Sequence, residues 1–314
     1  MSARPRILVL STGGTIVQHV VDGKMEASVP IASLAADLDV EAELEFRSAS
    51  AVSGAAMTFE ILLLLRDQVL QARQEGYAGV IVTTGTDSLE EMAFALDLLL
   101  PPAGPVVFTG AMRPTSALGY DGAANLRNAV QTVLAPEAAE LGVLVTMSGV
   151  IHAARYLRKQ DSAMLDAFQS HPGPIADIRR GRAQFYYTAL PELTRYLKPD
   201  PTRLAQVNVG LWAMTLQGRI PEAYLEALDG LVVAGMGTGS LSAEVLDQLS
   251  PRWTGRMPVV LVTRCATGGN YDDHLYKGSL AKYEGRGFRL QGFEGLNGFQ
   301  ARLKLMLEVA VGEG

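Results

Sequence analysis

The sequence of 314 residues has only one cysteine, Cys265, and no long run of apolar residues. A single cysteine excludes an internal disulfide and a cysteine-built zinc site, and we expect this thiol to be buried and inert. Aliphatic stretches such as Ile61–Leu65 fall far short of the roughly 20 residues that cross a bilayer. The apolar stretch that follows Met1–Arg6 is too short for a signal peptide. These features predict a cytoplasmic protein with no membrane partner.

Positive charge is also scarce, because 27 Lys and Arg residues stand against 33 Asp and Glu residues, giving a net charge of −6. The sequence contains no basic run, so a nucleic-acid partner is not expected. Apolar residues make up 48 % of the chain and charged residues 19 %. This balance predicts a packed globular protein, and the length suggests two domains at roughly 150 residues each.

Short β-branched runs alternate with amphipathic stretches in the first part of the chain. This alternation is typical of a parallel sheet with helices on both faces. The predicted strands are Ile7–Leu10, Val80–Thr83, Val106–Thr109 and Val143–Met147. The predicted helices are Thr58–Gln74, a segment from a Ser88–Glu91 capping box to about Leu100, and Gly122–Leu134. The fold class is therefore α/β, with a larger, doubly wound, mostly parallel N-terminal domain.

A change of composition to proline, charge and tyrosine around residues 191–201 predicts a linker. We place the N-terminal catalytic domain at residues 1–190, the linker at 191–206 and a smaller C-terminal α/β domain at 207–314. The second domain has predicted strands and helices of its own: strands at Val207–Leu211, Leu231–Ala234 and Val259–Thr263, and helices after Ser242 and over Gln300–Val311.

Three loops rich in glycine and threonine follow predicted strands: Ser11–Ile16, Thr83–Ser88 and Thr109–Pro114. Ligands bind beyond the carboxyl ends of parallel strands, and glycines let the main chain approach a ligand. One interpretation is a set of phosphate-binding turns, but the lysine of a P-loop and the spacing of a dinucleotide motif are both missing. The alternative is a threonine nucleophile, which needs a base such as a lysine and an ionisable neighbour such as Asp87.

Several motifs occur in one order along nearly the whole chain: Thr12–Ile16, Gly85–Glu91, Gly110–Pro114, Asp121-Gly122, Asn125-Leu126, Asn128-Ala129 and Ala301–Leu303. With these motifs the chain resembles the bacterial-type L-asparaginase/glutaminase family. The resemblance implies a small-molecule amide substrate, no cofactor and no metal. It also implies a homotetramer, or more generally a homo-oligomer, either a dimer or a dimer of dimers, whose active sites are shared between neighbouring subunits.

Carried over by position, the resemblance makes Thr15 the nucleophile that forms an acyl-enzyme. Thr86, Asp87 and Lys159 then form a second catalytic group that relays a proton and activates water, and Asp87 also holds the substrate α-amino group. Main-chain N–H groups of the Gly85-Thr86 loop, near Ala111, would stabilise the oxyanion.

The chain departs from the family at three places. The family's carboxylate-binding loop carries polar residues, whereas Gly54, Ala55 and Ala56 stand here, with Ser53 one position early. Either Ser53 serves the carboxylate through a register shift, or the substrate differs. Ser240 stands where the family often has an asparagine that reaches the neighbouring site.

The third departure is the loop after Ile16, which lacks the family's tyrosine and offers only His19 and Lys24 as substitutes.

The polar run Asn270–His274 is interpreted as a solvated turn rather than as a metal site. Three hypotheses follow: a hydrolase of the side-chain amide of asparagine, a hydrolase of a substituted or cyclic amide, and a non-catalytic amino-acid-binding protein.

Overall fold

The computed structural model describes residues 3–21, 24–26, 30–35, 38–191, 196–269 and 274–312. The chain forms two compact units, Met1–Tyr196 and Leu197–Gly314. The segment 191–206, predicted as a linker, includes a short helix at Pro201–Leu204 that begins at the side chain of Asp200. The domain bounds drawn from composition stay a prediction.

An eight-stranded sheet forms the centre of the first unit, in the order β12-β11-β8-β7-β6-β5-β1-β4. Neighbours from β4 to β7 are parallel, and β8, β11 and β12 extend the sheet in antiparallel fashion. The strands of the unit, including two small hairpins, are β1 (Arg6–Ser11), β2 (His19–Val21), β3 (Lys24–Glu26), β4 (Glu43–Ser48), β5 (Gly79–Thr83), β6 (Val106–Thr109), β7 (Val143–Met147), β8 (Val150–Ala153), β9 (Leu157–Lys159), β10 (Phe168–Ser170), β11 (Ala176–Arg179) and β12 (Arg182–Phe185).

The helices of the first unit are α1 (Ile31–Ala35), α2 (Phe59–Gln74), α3 (Leu89–Leu99) and α4 (Gly122–Leu134). As predicted, Thr58 begins α2 by accepting a hydrogen bond from the main chain of Ile61. The predicted capping box at Ser88 is wrong, because the Ser88 hydroxyl is buried and has no hydrogen-bond partner among the described residues. Glu90, in the first turn of α3, accepts a hydrogen bond from the main-chain N–H of Lys159 in β9.

The second unit contains a four-stranded parallel sheet in the order β13-β14-β15-β16. Its strands are β13 (Val209–Ala213), β14 (Gly230–Gly235), β15 (Val259–Thr263) and β16 (Phe288–Arg289). Its helices are α5 (Pro201–Leu204), α6 (Glu222–Glu226), α7 (Ala243–Leu249), α8 (Ser279–Glu284) and α9 (Gly298–Val311). Asn297 and Gln300 form a reciprocal capping box at the start of α9. The predicted fold class, a larger and a smaller α/β unit, is confirmed.

Buried apolar residues explain why the central strands read as continuous hydrophobic runs. The segment Ile7–Leu10 is fully buried, as are Ile81 and Val82. Strands that are covered by helices on both faces need apolar side chains in both directions, so they show no alternation. Across the described residues, no helix has the length and apolar character needed to cross a membrane.

Candidate active site

Three strands end together at one edge of the first sheet. Ser11 at the end of β1 lies opposite Thr83 of β5, and Thr83 lies opposite Thr109 of β6. Two further main-chain hydrogen bonds continue this pairing into the loops, from Thr12 N to the Thr83 oxygen at 2.9 Å and from Thr84 N to the Thr109 oxygen at 3.1 Å. The three loops singled out in the sequence therefore leave the sheet side by side.

Glycines let these loops touch. Gly14 has a φ of 89°, and a Cβ atom built on it would lie 2.4 Å from the main-chain nitrogen of Gly85. Only glycine fits such an approach and such a φ angle. Because Thr15 follows Gly14 and Thr86 follows Gly85, the contact brings the main chains of the two predicted catalytic threonines to the same place.

Lys159 reaches this place from β9. Its Nζ atom donates a hydrogen bond of 3.0 Å to Oγ1 of Thr86 and another of 3.0 Å to Oδ1 of Asp87. The Thr86 residue is buried, whereas the Asp87 side chain is 69 % exposed and the Lys159 side chain only 15 % exposed. One lysine side chain thus joins a buried hydroxyl to a carboxylate that is exposed to solvent.

The third loop is anchored by a buried amide and a carboxylate. Asp121 accepts hydrogen bonds of 3.0 Å from the main chain of Met112 and of Arg113. Asn125, 1 % exposed, donates to the Gly110 oxygen and accepts from the main chain of Ser148. These bonds set the course of the chain on either side of Ala111.

Ala111 is buried, and it packs with Ile16 and Val17 directly after the predicted nucleophile. Tyr120 contacts the same segment, since its hydroxyl donates a 2.6 Å hydrogen bond to the Ile16 oxygen. Burial raises the pKa of the Tyr120 phenol. The sequence motifs contain Asp121 and Asn125 but assign them no role, and Tyr120 was not predicted. Asp121 and Asn125 are four residues apart and so lie on one helix face, which is the signal that could have identified them.

The predicted substrate-binding residues fall into two groups. Gly54 starts a 3₁₀ turn, Gly54–Ala56, and packs against the second loop, so that a Cβ on Gly54 would lie 3.2 Å from the Cβ of Asp87. Ala55 and Ser53 are exposed, and in the described part of the chain the Ser53 hydroxyl does not cap this turn. Ser240 belongs to the second unit, where its main chain pairs with Met236.

Of the two residues predicted to replace the missing tyrosine, His19 and Lys24, the structure describes the side chain of His19. His19 is exposed, and its Nδ1 atom lies 3.0 Å from the hydroxyl of Thr115, which itself donates to the Gln18 oxygen. The side chain of Lys24 and residues 270–273 lie outside the described residues. The described residues contain no group of three His, Cys, Asp or Glu side chains that could hold a metal ion.

The expectation that the thiol of Cys265 is buried is wrong. Cys265 is exposed two residues beyond the end of β15, and its Sγ atom lies 3.4 Å from the Gly237 oxygen. A residue in the surface loop after a buried strand is not covered by the helices that pack on the sheet, so even a hydrophobic side chain can be exposed there.

Comparison with known proteins agrees with this arrangement. Two family models match the chain, "Asparaginase, N-terminal" over residues 6–191 and "Glutaminase/Asparaginase C-terminal domain" over residues 211–313. The probable L-asparaginase of Deinococcus radiodurans is 38 % identical over 239 residues, covering 76 % of this chain and 72 % of that protein. L-asparaginase 2 of Escherichia coli is 30 % identical over 284 residues, covering 86 % of this chain and 81 % of that protein.

A solved structure extends the likeness to the whole fold. The probable cytoplasmic L-asparaginase of Campylobacter jejuni superimposes with a TM-score of 0.83 at 31 % identity, over 97 % of this chain and 95 % of that one. The resemblance that the sequence motifs suggested is confirmed: the chain belongs to the asparaginase family and is a hydrolase that acts on C–N bonds in linear amides.

Proposed function

We propose that this chain hydrolyses the side-chain amide of asparagine to aspartate and ammonia, with Thr15 as the nucleophile. The observation that carries the proposal is the double contact of Lys159 with Thr86 and Asp87, at the point where Gly14 meets Gly85. A threonine hydroxyl is a weak nucleophile, so an amine, a second hydroxyl and a carboxylate beside it supply the proton transfers that it needs.

In the first half of the reaction, Oγ1 of Thr15 attacks the amide carbonyl carbon and passes its proton to the group around Thr86 and Lys159. The C–N bond then breaks, that group returns the proton to the departing nitrogen and ammonia leaves, so that an ester remains on Thr15. In the second half, a water molecule gives a proton to the group around Thr86 and Lys159 and attacks the ester. The ester bond breaks, and the proton returns to the Thr15 oxygen.

Asp87 has a separate binding role in this proposal. Its carboxylate is mostly exposed even though one oxygen contacts Lys159, so it can accept a hydrogen bond from a substrate α-ammonium group. An amino-acid-like amide would therefore be oriented at one end by Asp87 and attacked at the other end by Thr15.

The test is ammonia release from asparagine by the full chain and by two variants. Thr15→Ala and Lys159→Met are expected to lower kcat by at least ~10³-fold while leaving the fold intact, because each removes a group that acts in the chemical step. Thr202→Ala, at an exposed position of α5, is the matched control and should retain wild-type kcat. Full turnover by the Thr15→Ala protein would refute the mechanism.

A second candidate substrate is favoured by the 3₁₀ turn Gly54–Ala56. This turn packs on Asp87 and presents only hydrogen atoms and methyl groups where the family has polar side chains. A missing charged hydrogen bond weakens carboxylate binding by roughly 1.5–3 kcal/mol. An amide whose carboxyl end is blocked, or a cyclic amide, would tolerate this loss. Comparing kcat/KM for asparagine, glutamine, asparagine amide and cyclic imides decides between the two substrates.

We also propose a cytoplasmic location and a homo-oligomer with shared active sites. The location is supported by the similar Campylobacter jejuni protein, a probable cytoplasmic L-asparaginase. The oligomer is supported by the family resemblance, and sedimentation velocity of the purified chain tests it. A species that remains monomeric at assay concentration while fully active would exclude shared sites.

A further inference from the structure

Lys159 is presented by a very short piece of secondary structure. Strand β9 has three residues, and among the strands that the structure describes it pairs with β10 alone, which also has three. In this pairing Lys159 lies opposite Phe168. A two-stranded hairpin of this length has little stability of its own. The position of the Lys159 main chain therefore depends on contacts made from outside the hairpin.

Glu90 provides such a contact. Its Oε2 atom accepts a hydrogen bond of 2.6 Å from the main-chain N–H of Lys159. Glu90 lies in the first turn of α3, and the two residues are 69 positions apart in the chain. This bond joins the start of a long buried helix to the end of the short hairpin.

The same stretch of chain holds both ends of the lysine. Thr86 and Asp87, which accept hydrogen bonds from Nζ, precede Glu90 by only four and three residues. The main-chain nitrogen and the side-chain nitrogen of Lys159 are thus both bonded to residues 86–90. With both ends attached to one short segment, the lysine side chain has little freedom to move away from its partners.

The environment of Glu90 does not favour a free carboxylate at this position. Burial raises the pKa of Glu90, the N–H of Lys159 lowers it, and the neighbouring charge of Glu91 raises it again, while Arg158 lowers it. Burial in turn lowers the pKa of Arg158, and Glu90 opposes that shift. A partly buried carboxylate costs free energy unless it is bonded. Its bond to the Lys159 main chain is therefore an integral contact of the site.

We propose that Glu90 is a positioning residue that holds the main chain of Lys159 so that Nζ reaches Thr86 and Asp87 together. The inference rests on the proposed function of Lys159 in proton transfer. Glu90 acts through Lys159 and does not touch the substrate in this assignment.

Two substitutions separate the hydrogen-bond acceptor from the charge. Glu90→Gln keeps an oxygen that can accept from the Lys159 N–H, whereas Glu90→Leu has a similar volume and no acceptor. We expect Glu90→Gln to stay within about 3-fold of wild-type kcat. Glu90→Leu is expected to lose about 10–100-fold in kcat with KM within about 3-fold, because a displaced catalytic group slows the chemical step more than it weakens binding. Glu91→Gln is the matched control on the same helix turn.

A double-mutant cycle distinguishes positioning from general weakening of the fold. In the Lys159→Met background, Glu90→Leu is expected to cause no further loss of the residual rate, since its effect passes through the lysine. An additional loss equal to that in the wild-type background would overturn the proposal. So would wild-type kcat in Glu90→Leu, or an equal loss in Glu90→Gln and Glu90→Leu.

One readout is independent of turnover. Hydrogen exchange at the Lys159 amide, followed by mass spectrometry with electron-transfer fragmentation, should accelerate at least ~10-fold in Glu90→Leu and remain slow in Glu90→Gln. Unchanged exchange in Glu90→Leu refutes the contact even if the enzyme is active. If the wild-type chain hydrolyses no amide, the proposed function fails, and this measurement still decides whether Glu90 holds Lys159.

Discussion

Replacing Gly85 by alanine tests whether the close contact between loops is what makes the site work. A Cβ atom at position 85 would lie 2.8 Å from the Cα atom and 2.9 Å from the nitrogen of Gly54. Both are main-chain atoms, so no side-chain rotation can relieve the overlap. Carbon atoms in contact normally lie about 3.5–4.0 Å apart. The two loops must therefore separate by roughly 0.7 Å or more.

The consequence reaches the reactive groups directly. Gly54 packs on Asp87, and Gly85 precedes Thr86, so separating the two loops displaces two of the Lys159 partners. Overpacking of this kind costs typically about 1–3 kcal/mol of stability. A displacement of about 1 Å at a catalytic group can cost ~10²-fold in rate. We expect Gly85→Ala to lower kcat/KM by about 10–100-fold.

The assay combines initial rates of ammonia release from asparagine with urea denaturation of the same samples. Gly173→Ala is the matched control, because a Cβ at that position meets no heavy atom within 4 Å and its φ angle is not left-handed. It should match wild type in both measurements. A Gly85→Ala protein with wild-type kcat/KM would refute the reasoning, and so would one that is destabilised yet fully active.

Two further predictions concern stability. Burial lowers the pKa of His152 from 6.5 to about 4, so below pH 6.5 the unfolded chain binds a proton that the folded chain does not. The free energy of unfolding should fall by about 3 kcal/mol between pH 6.5 and 4. His152→Gln should remove this slope in urea titrations, and the exposed control His171→Gln should keep it. Lys304 and Glu308 form a buried ion pair on α9, so Lys304→Met should cost about 3 kcal/mol, against less than ~0.5 kcal/mol for the exposed Lys277→Met.

Either stability prediction has a clear contrary outcome. A pH slope that persists unchanged in His152→Gln would assign the slope to other groups. Equal unfolding midpoints for the wild-type and Lys304→Met proteins would contradict the prediction and would mean that Arg289, which also bonds Glu308, compensates for the lost lysine.

The parallel core of the first unit was predictable because its physics is local. Buried strands such as Val80–Thr83 and Val106–Thr109 are continuous apolar runs, and α2 begins at Thr58 as its sequence predicts. The antiparallel extension through β8, β11 and β12 was not predicted. All three strands are short, and β11 and β12 are partly exposed, so none of them has the long apolar run that marks a buried parallel strand.

The motifs predict Thr15, Thr86, Asp87 and Lys159 as the reactive residues, and this assignment stays a prediction. Their arrangement could not be taken from the motifs, because the 3.0 Å bonds of Lys159 join residues more than 70 positions apart. Glu90 shows the limit most clearly. The predicted capping box around it assigned bonds to Ser88 and Glu91 and no role to Glu90, whereas in the folded chain the Glu90 carboxylate accepts a hydrogen bond from the main chain of Lys159 in a distant hairpin.

The amino-acid sequence alone determined which segments are buried strands, which loops contain glycine and which chemical groups are available to the site. Three-dimensional packing decided which glycines face each other, which carboxylate bonds the main chain of Lys159 and how exposed the Asp87 side chain is. The physical reason is range: backbone preferences and hydrophobic periodicity act over a few residues, whereas the contacts that align reactive atoms form only when distant segments are packed together.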